Sequence, residues 1–182
     1  MGIKKKKNSG KAKQYFFSFV KEFKKEFGGD LPMGKRKERR PLSTKEPIHL
    51  IIKSSGRSIF NPTDKGAMRI IQTHAKRFNI RLYDMALNWS HVHMALMLKS
   101  REDYNRFIRA VTSALANYFR KKNPNLKSIL DLRPYTKILS WGRQFKNVLN
   151  YIIDNQLEAM GMIYKKKGKK IAKNSTRDSS KE

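Results

Sequence analysis

Apolar and polar positions follow two rhythms along this chain. From Ile48, "IHLIIKSS" is a short apolar run and predicts a strand. "NPTDKGAMRIIQTHAKRFN" changes to helical spacing, with Thr63 as the expected N-cap and Met68, Ile71, Ala75 and Phe78 as an apolar stripe. "IRLYDMALNW" and "SHVHMALML" predict two strands joined by a tight turn near Trp89-Ser90. "SREDYNRFIRAVTSALANYFRKKN" predicts a long helix. Ser100 and Asp103 resemble a capping box there, and Tyr104, Phe107, Ile108, Val111, Leu115 and Phe119 line one side. "PYTKILSW" predicts another strand, and "GRQFKNVLNYIIDNQLEAMG" a last helix bracketed by Gly142 and Gly161.

The order is strand, helix, two strands, helix, strand, helix. It implies an α+β domain, with a ferredoxin-like antiparallel sheet and helices packed on it as the simplest arrangement. Upstream, Phe16, Val20, Phe23 and Phe27 in "YFFSFVKEFKKEFGG" recur at helical spacing before Gly28-Gly29. They predict a short helix docking on the core. The expected organisation is a basic N-terminal arm over 1–47, a folded domain over 48–164 and a basic tail over 165–182.

Charge then narrows the function. The 182 residues carry 42 basic and 14 acidic side chains, a net charge of +28. Such an excess repels itself unless a polyanion neutralises it, nucleic acid first and a membrane surface second. Arg36, Lys37, Arg39 and Arg40 are the first candidate phosphate contacts, followed by Lys165, Lys166, Lys167, Lys169 and Lys170. The C-terminal run reads equally well as a solvated tail. Trp89, Trp141 and Tyr135 have the shape to stack on bases, although core packing is the more ordinary use of each. The absence of cysteine excludes disulfides, thiolate zinc sites and a cysteine nucleophile. No apolar run reaches the ~18 residues that span a bilayer, and "MGIKKKKNSG" has no secretory h-region behind it. A cytoplasmic protein with no membrane partner is expected.

Two of the four histidines stand one residue apart, in "WSHVHMALML". On a strand, His91 and His93 project to one face with Ala95 and Met97, while Val92, Met94, Leu96 and Leu98 take the other. Adjacent neutral imidazoles make a clip for a divalent cation; a third, oxygen ligand would suit Mg²⁺ or Mn²⁺. The alternative is a pair of core histidines bonded to backbone or water, so His-x-His alone is a weak signal. A two-residue turn would pair Asn88 with His91, Ala86 with His93 and Asp84 with Ala95. His49 and His74 read as structural.

The last helix adds a second group. At 100° per residue, Phe145, Val148, Leu149, Ile152, Ile153, Gln156 and Met160 share one side. Asn147, Tyr151, Asp154, Asn155 and Glu158 share the other. Tyr151 and Asn155 are one turn apart, phenol beside amide. By itself Tyr151 reads as an ordinary surface tyrosine.

Taken together, His91-Val92-His93 and the later Tyr151-Ile152-Ile153-Asp154-Asn155 resemble the motifs of the single-tyrosine HUH transposases, most of all the REP-associated tyrosine transposases. The likeness runs from about Gly28 to Gly161 and includes "RPLSTKEPIHLIIKSS". It implies that His91, His93 and the Asn155 amide hold one Mg²⁺ or Mn²⁺. Gln156, standing where that branch usually has proline, is the alternative amide. It implies that Tyr151 nicks and rejoins single-stranded or hairpin DNA through a 5′-phosphotyrosine, without ATP. A monomer or a homodimer is compatible, with 139–144 as the hinge if two chains exchange the tyrosine helix. The competing reading is a non-catalytic, domesticated DNA- or RNA-binding protein.

Overall fold

The computed structural model describes residues 25–31, 38–55, 58–126, 128–131 and 133–162. Its elements are β1 (Glu26–Phe27), β2 (Ile48–Lys53), α1 (Lys65–Arg77), β3 (Arg81–Asn88), β4 (His91–Met97), α2 (Arg101–Lys122), β5 (Tyr135–Ile138) and α3 (Arg143–Ala159). The strands form one antiparallel sheet in the order β1-β5-β2-β4-β3. Without the short β1, this is the strand order of a ferredoxin-like sheet, as the element order predicts.

Alternation divides the sheet into two faces. Ile48, Leu50, Ile52, Val92, Met94 and Leu96 point to one face and are completely buried. There they meet α1 through Ala67, Ile71 and Ala75, and α2 through Tyr104, Phe107, Val111, Leu115 and Phe119. The expected stripe on α2 holds, except that Ile108 is only partly buried. Helix α3 lies on the opposite face. A smaller apolar cluster binds it to the sheet, with Ala86, Ala95 and Ile152 buried and Tyr83, Phe145, Val148 and Leu149 around them. Two fully buried alanines below Ile152 let the helix approach the strands closely.

Local chemistry explains the helix starts. Ser100 caps α2, its side chain accepting from the Asp103 amide at 3.0 Å. The cap of α1 is Asp64 rather than Thr63: its carboxylate accepts from the amides of Gly66 and Ala67. The Thr63 amide and hydroxyl are instead bonded to the Asn61 side chain. Asp64 also binds Tyr118 Oη and Lys122 Nζ, tying the start of α1 to the end of α2. Burial opposes ionisation there, but these donors outweigh it and hold the carboxyl below its ordinary range.

The helix expected over Phe16–Phe27 is corrected at its described end. Glu26 and Phe27 extend the sheet, pairing with Lys137 and Thr136; the rest of that segment lies outside the described residues. Helical spacing of phenylalanines lost to the backbone groups offered by the edge of β5. Gly28 ends the strand with φ +97°, and a Cβ there would overlap the Pro134 carbonyl, so only glycine fits.

Candidate active site

The turn between β3 and β4 is two residues long, and the register follows. Asn88 faces His91, Ala86 faces His93 and Asp84 faces Ala95, with a bulge between Leu82 and Asp84. His91 and His93 therefore share the face covered by α3. Their ring centroids are 4.5 Å apart, with planes at 86°. His93 is buried and His91 partly so. Burial, reinforced by the cross-strand Lys53, lowers the pKa of His91 and favours the neutral, ligating imidazole.

Tyr151 lies against this pair. Its ring stands edge-on to His93, with centroids 5.3 Å apart, while 45% of the tyrosine remains exposed. Asn155, one turn further along α3, is buried at 7% exposure, and its Nδ2 donates to the Tyr151 carbonyl at 2.6 Å.

The inner face of α3 differs from the apolar arc predicted for it. Ile152 and Asn155 are its buried residues, while Ile153 and Met160 are exposed at 47% and 39%. The helix is rolled so that Asn155 faces inward, where its buried amide is tolerated because it has a backbone partner in the Tyr151 carbonyl. Gln156 is used otherwise. Its Oε1 accepts from Leu87 N at 2.9 Å and its Nε2 donates to Pro62 O at 2.7 Å, pinning α3 to β3 and to the approach to α1. Both amide atoms of Gln156 are thus engaged in fastening α3 to these segments.

His49 is the residue that sequence reasoning left out of the site. Strand β2 pairs with β4, placing His49 opposite Ala95 and Ile51 opposite His93, so His49 shares the histidine face. Its Nε2 is 3.1 Å from His93 Nδ1, and its ring lies 6.4 Å from that of Tyr151. Burial first, and then the charge of Lys137, pushes its pKa down to about 4, so it is neutral near pH 7. The only signal in the sequence was parity: His49 stands on the alternate face from Ile48 and Leu50. Lys53 was missed for the same reason.

The phosphate candidates diverge. Arg36, Lys37, Lys165, Lys166, Lys167, Lys169 and Lys170 lie outside the described residues. Arg39 is exposed. Arg40 has a structural use that its place in a basic run did not suggest. Its Nη1 donates to Pro134 O and Thr136 Oγ1, both at 2.8 Å, and its guanidinium lies 4.7 Å from the Phe27 ring centre. Trp89 and Trp141 are not core residues; each is 50% exposed. Trp141 is nevertheless fixed, its indole N–H donating to Lys45 O and its ring packed edge-on to Phe145 and Tyr83. Tyr135 is partly buried, and burial together with Glu26 raises its pKa to about 12. His74 bonds to Ile70 O on α1, as a structural residue would.

Beside the histidine pair, the candidate oxygen donor is the Asn155 amide, one turn from Tyr151 on α3. Among the described residues no three His, Cys, Asp or Glu side chains cluster as a metal cage. Carboxamide oxygen suits Mg²⁺ or Mn²⁺, and imidazole nitrogen suits divalent transition metals. Both rings are tied through Nδ1, His91 to Ser90 Oγ at 2.9 Å and His93 to His49. Outer hydrogen bonds of this kind orient ligating histidines.

The family described as "Transposase IS200 like" matches residues 44–156, a span that contains β2 to β5 and most of α3. The chain belongs to this family, which carries the single-tyrosine HUH transposases. Similar solved structures include a REP-associated tyrosine transposase bound to a REP hairpin, at 12% identity and a TM-score of 0.49, covering 70% of this chain and 76% of that one. Another is a protein described as a transposase of Deinococcus radiodurans R1, at 19% identity and a TM-score of 0.44, covering 66% and 98%. No curated protein matches the chain. Among the described residues, no helix is long and apolar enough to cross a membrane.

Proposed function

We propose that this transposase-family protein nicks and rejoins single-stranded or hairpin DNA, with Tyr151 as nucleophile. One observation carries the reading: a half-exposed phenol on α3 stands edge-on to His93 of the histidine pair, 5.3 Å between ring centres, with the buried Asn155 one turn away. A phenol in an ordinary surface position would not share a site with two imidazoles and a buried carboxamide.

His91, His93 and Asn155 would hold a Mg²⁺ or Mn²⁺ ion. Bound there, the cation would supply Lewis-acid polarisation of the scissile phosphate and offset charge on the departing oxygen. Tyr151 Oη loses its proton to solvent and attacks phosphorus; an O–P bond forms, and the bond to the 3′-oxygen breaks with its electron pair. The DNA 5′-phosphate is then esterified to Tyr151 and a 3′-hydroxyl is released. Attack by another 3′-hydroxyl reverses the exchange, returns the proton to the phenol and joins a new end. Phosphodiester replaces phosphodiester, so no nucleotide energy source is needed.

The surrounding charge supports a phosphate substrate. Lys53 stands across from His91, and Lys137 across from His49, on the histidine face. The exposed edge of Tyr151 leaves a route for a strand from solvent.

The test is incubation with single-stranded hairpin DNA and Mn²⁺, followed by a denaturing gel. Wild-type protein should form a covalent DNA adduct; Tyr151→Phe should form none while retaining DNA in a native gel shift. Equal adduct from both proteins removes Tyr151 from the role. DNA retention without adduct under any divalent cation would favour a non-catalytic binder.

A further inference from the structure

We infer that His49 is a positioning residue for the proposed metal site: it accepts a hydrogen bond from His93 Nδ1–H and so fixes the tautomer that presents His93 Nε2 as a lone pair. This rests on the metal-binding reading of His91 and His93.

The geometry is that of a hydrogen bond between ring edges. The planes of His49 and His93 are within 19° of one another, with centroids 5.2 Å apart and facing nitrogens 3.1 Å apart. That centroid separation is close to the largest two imidazoles can have with nitrogens so near. The nitrogens therefore lie between the rings, near the line joining them, and each lone-pair direction points at the other ring. Two ligands of a shared cation would converge on a third point instead. Face-to-face stacking is excluded by the same distances.

A neutral imidazole carries one N–H, so the contact has two forms. If His49 Nε2 donates, the proton of His93 sits on Nε2 and blocks that nitrogen as a ligand. If His93 Nδ1 donates, its Nε2 carries the lone pair. His91 provides the parallel. It too is held at Nδ1, by Ser90 Oγ, a hydroxyl able to accept. Each histidine is thus anchored through the nitrogen that a ligating imidazole gives to its outer partner. The anchors come from different places: a turn residue next in sequence for His91, and a different strand, 44 residues away, for His93.

The register makes the contact rigid. His49 lies between Ala95 on β4 and Lys137 on β5 in the middle of the sheet, and both His49 and His93 are buried. Its ring is also near Tyr151, so one side chain borders ligand and nucleophile.

The experiment uses full-length, metal-free protein with ¹⁵N-labelled histidine, in which long-range ¹H–¹⁵N spectra report each tautomer. Mn²⁺ affinity is then measured by titration. Wild type should show the His93 proton on Nδ1. His49→Gln, which keeps an acceptor oxygen, should retain that tautomer and most of the affinity. His49→Phe, which fills the space without an acceptor, should lose the tautomer preference and bind Mn²⁺ roughly ten- to hundred-fold more weakly. A wild-type His93 proton on Nε2 would overturn the assignment, as would unchanged Mn²⁺ affinity in His49→Phe. Equal and complete loss of binding in both variants would make His49 a direct ligand and overturn its positioning role. If wild type binds no Mn²⁺, the metal reading fails, while the tautomer still decides the hydrogen bond.

Discussion

The two faces of one sheet have been put to different uses. Strands β2 and β4 alternate so strictly that neighbouring residues belong to different worlds: Ile48, Leu50, Ile52, Val92 and Met94 on one side, His49, Lys53, His91 and His93 on the other. The first face meets two helices over a continuous apolar core. The second meets one helix over a smaller cluster of Ala86, Ala95 and Ile152 edged by Tyr83, Phe145, Val148 and Leu149, and beside that cluster lie imidazole, amide and phenol. Packing stability and chemistry are thereby separated by the thickness of a strand. The chemical face can carry polar groups because the other supplies most of the apolar burial.

The largest contrast should come from single truncations on opposite faces. Tyr151→Phe should abolish adduct formation and cost at most about 1 kcal/mol of stability, since the ring is 45% exposed and stays in place. Phe107→Ala on the core face should cost about 3–5 kcal/mol in denaturant unfolding, because the ring is fully buried. Protein that remains folded should still form adduct. An adduct-competent Tyr151→Phe or a thermally neutral Phe107→Ala would erase the distinction.

Acid should expose the next difference. The His49 pKa is about 4 in the folded chain against an ordinary 6.5. Above pH 6.5 both states are neutral and nothing is lost. Between 6.5 and about 4 the unfolded chain takes up a proton that the folded one refuses, so stability falls as pH falls, by about 3 kcal/mol in all. His49→Gln should flatten that part of the stability–pH curve, measured by urea unfolding at successive pH values. A variant curve parallel to wild type would contradict the burial of His49 as a neutral base.

A modest cost in stability should have a disproportionate effect on the site. Ala86 is the cross-strand neighbour of His93 and is buried below α3. Ala86→Leu should cost about 1–3 kcal/mol by overpacking. It should also lift Tyr151 from the histidines, so that adduct yield falls at temperatures where the variant is folded. An intact adduct yield would mean that helix placement tolerates more than the close packing suggests.

Much of this arrangement was written in local pattern. Period-two spacing put His91 and His93 on one face, a two-residue turn set their pairing with Asn88 and Ala86, and Ser100 announced α2. Tyr151 and Asn155 were paired by helical spacing alone. These properties depend on neighbours within a few residues, where backbone geometry leaves few choices. What local pattern could not supply was the company these residues keep across the fold. The β2–β4 register brought His49 to His93, the roll of α3 buried Asn155 rather than Ile153, the edge of β5 made a strand of Glu26 and Phe27, and Arg40 found backbone carbonyls. Each was decided by contacts between segments far apart in sequence, whose register and orientation follow from packing the whole domain at once.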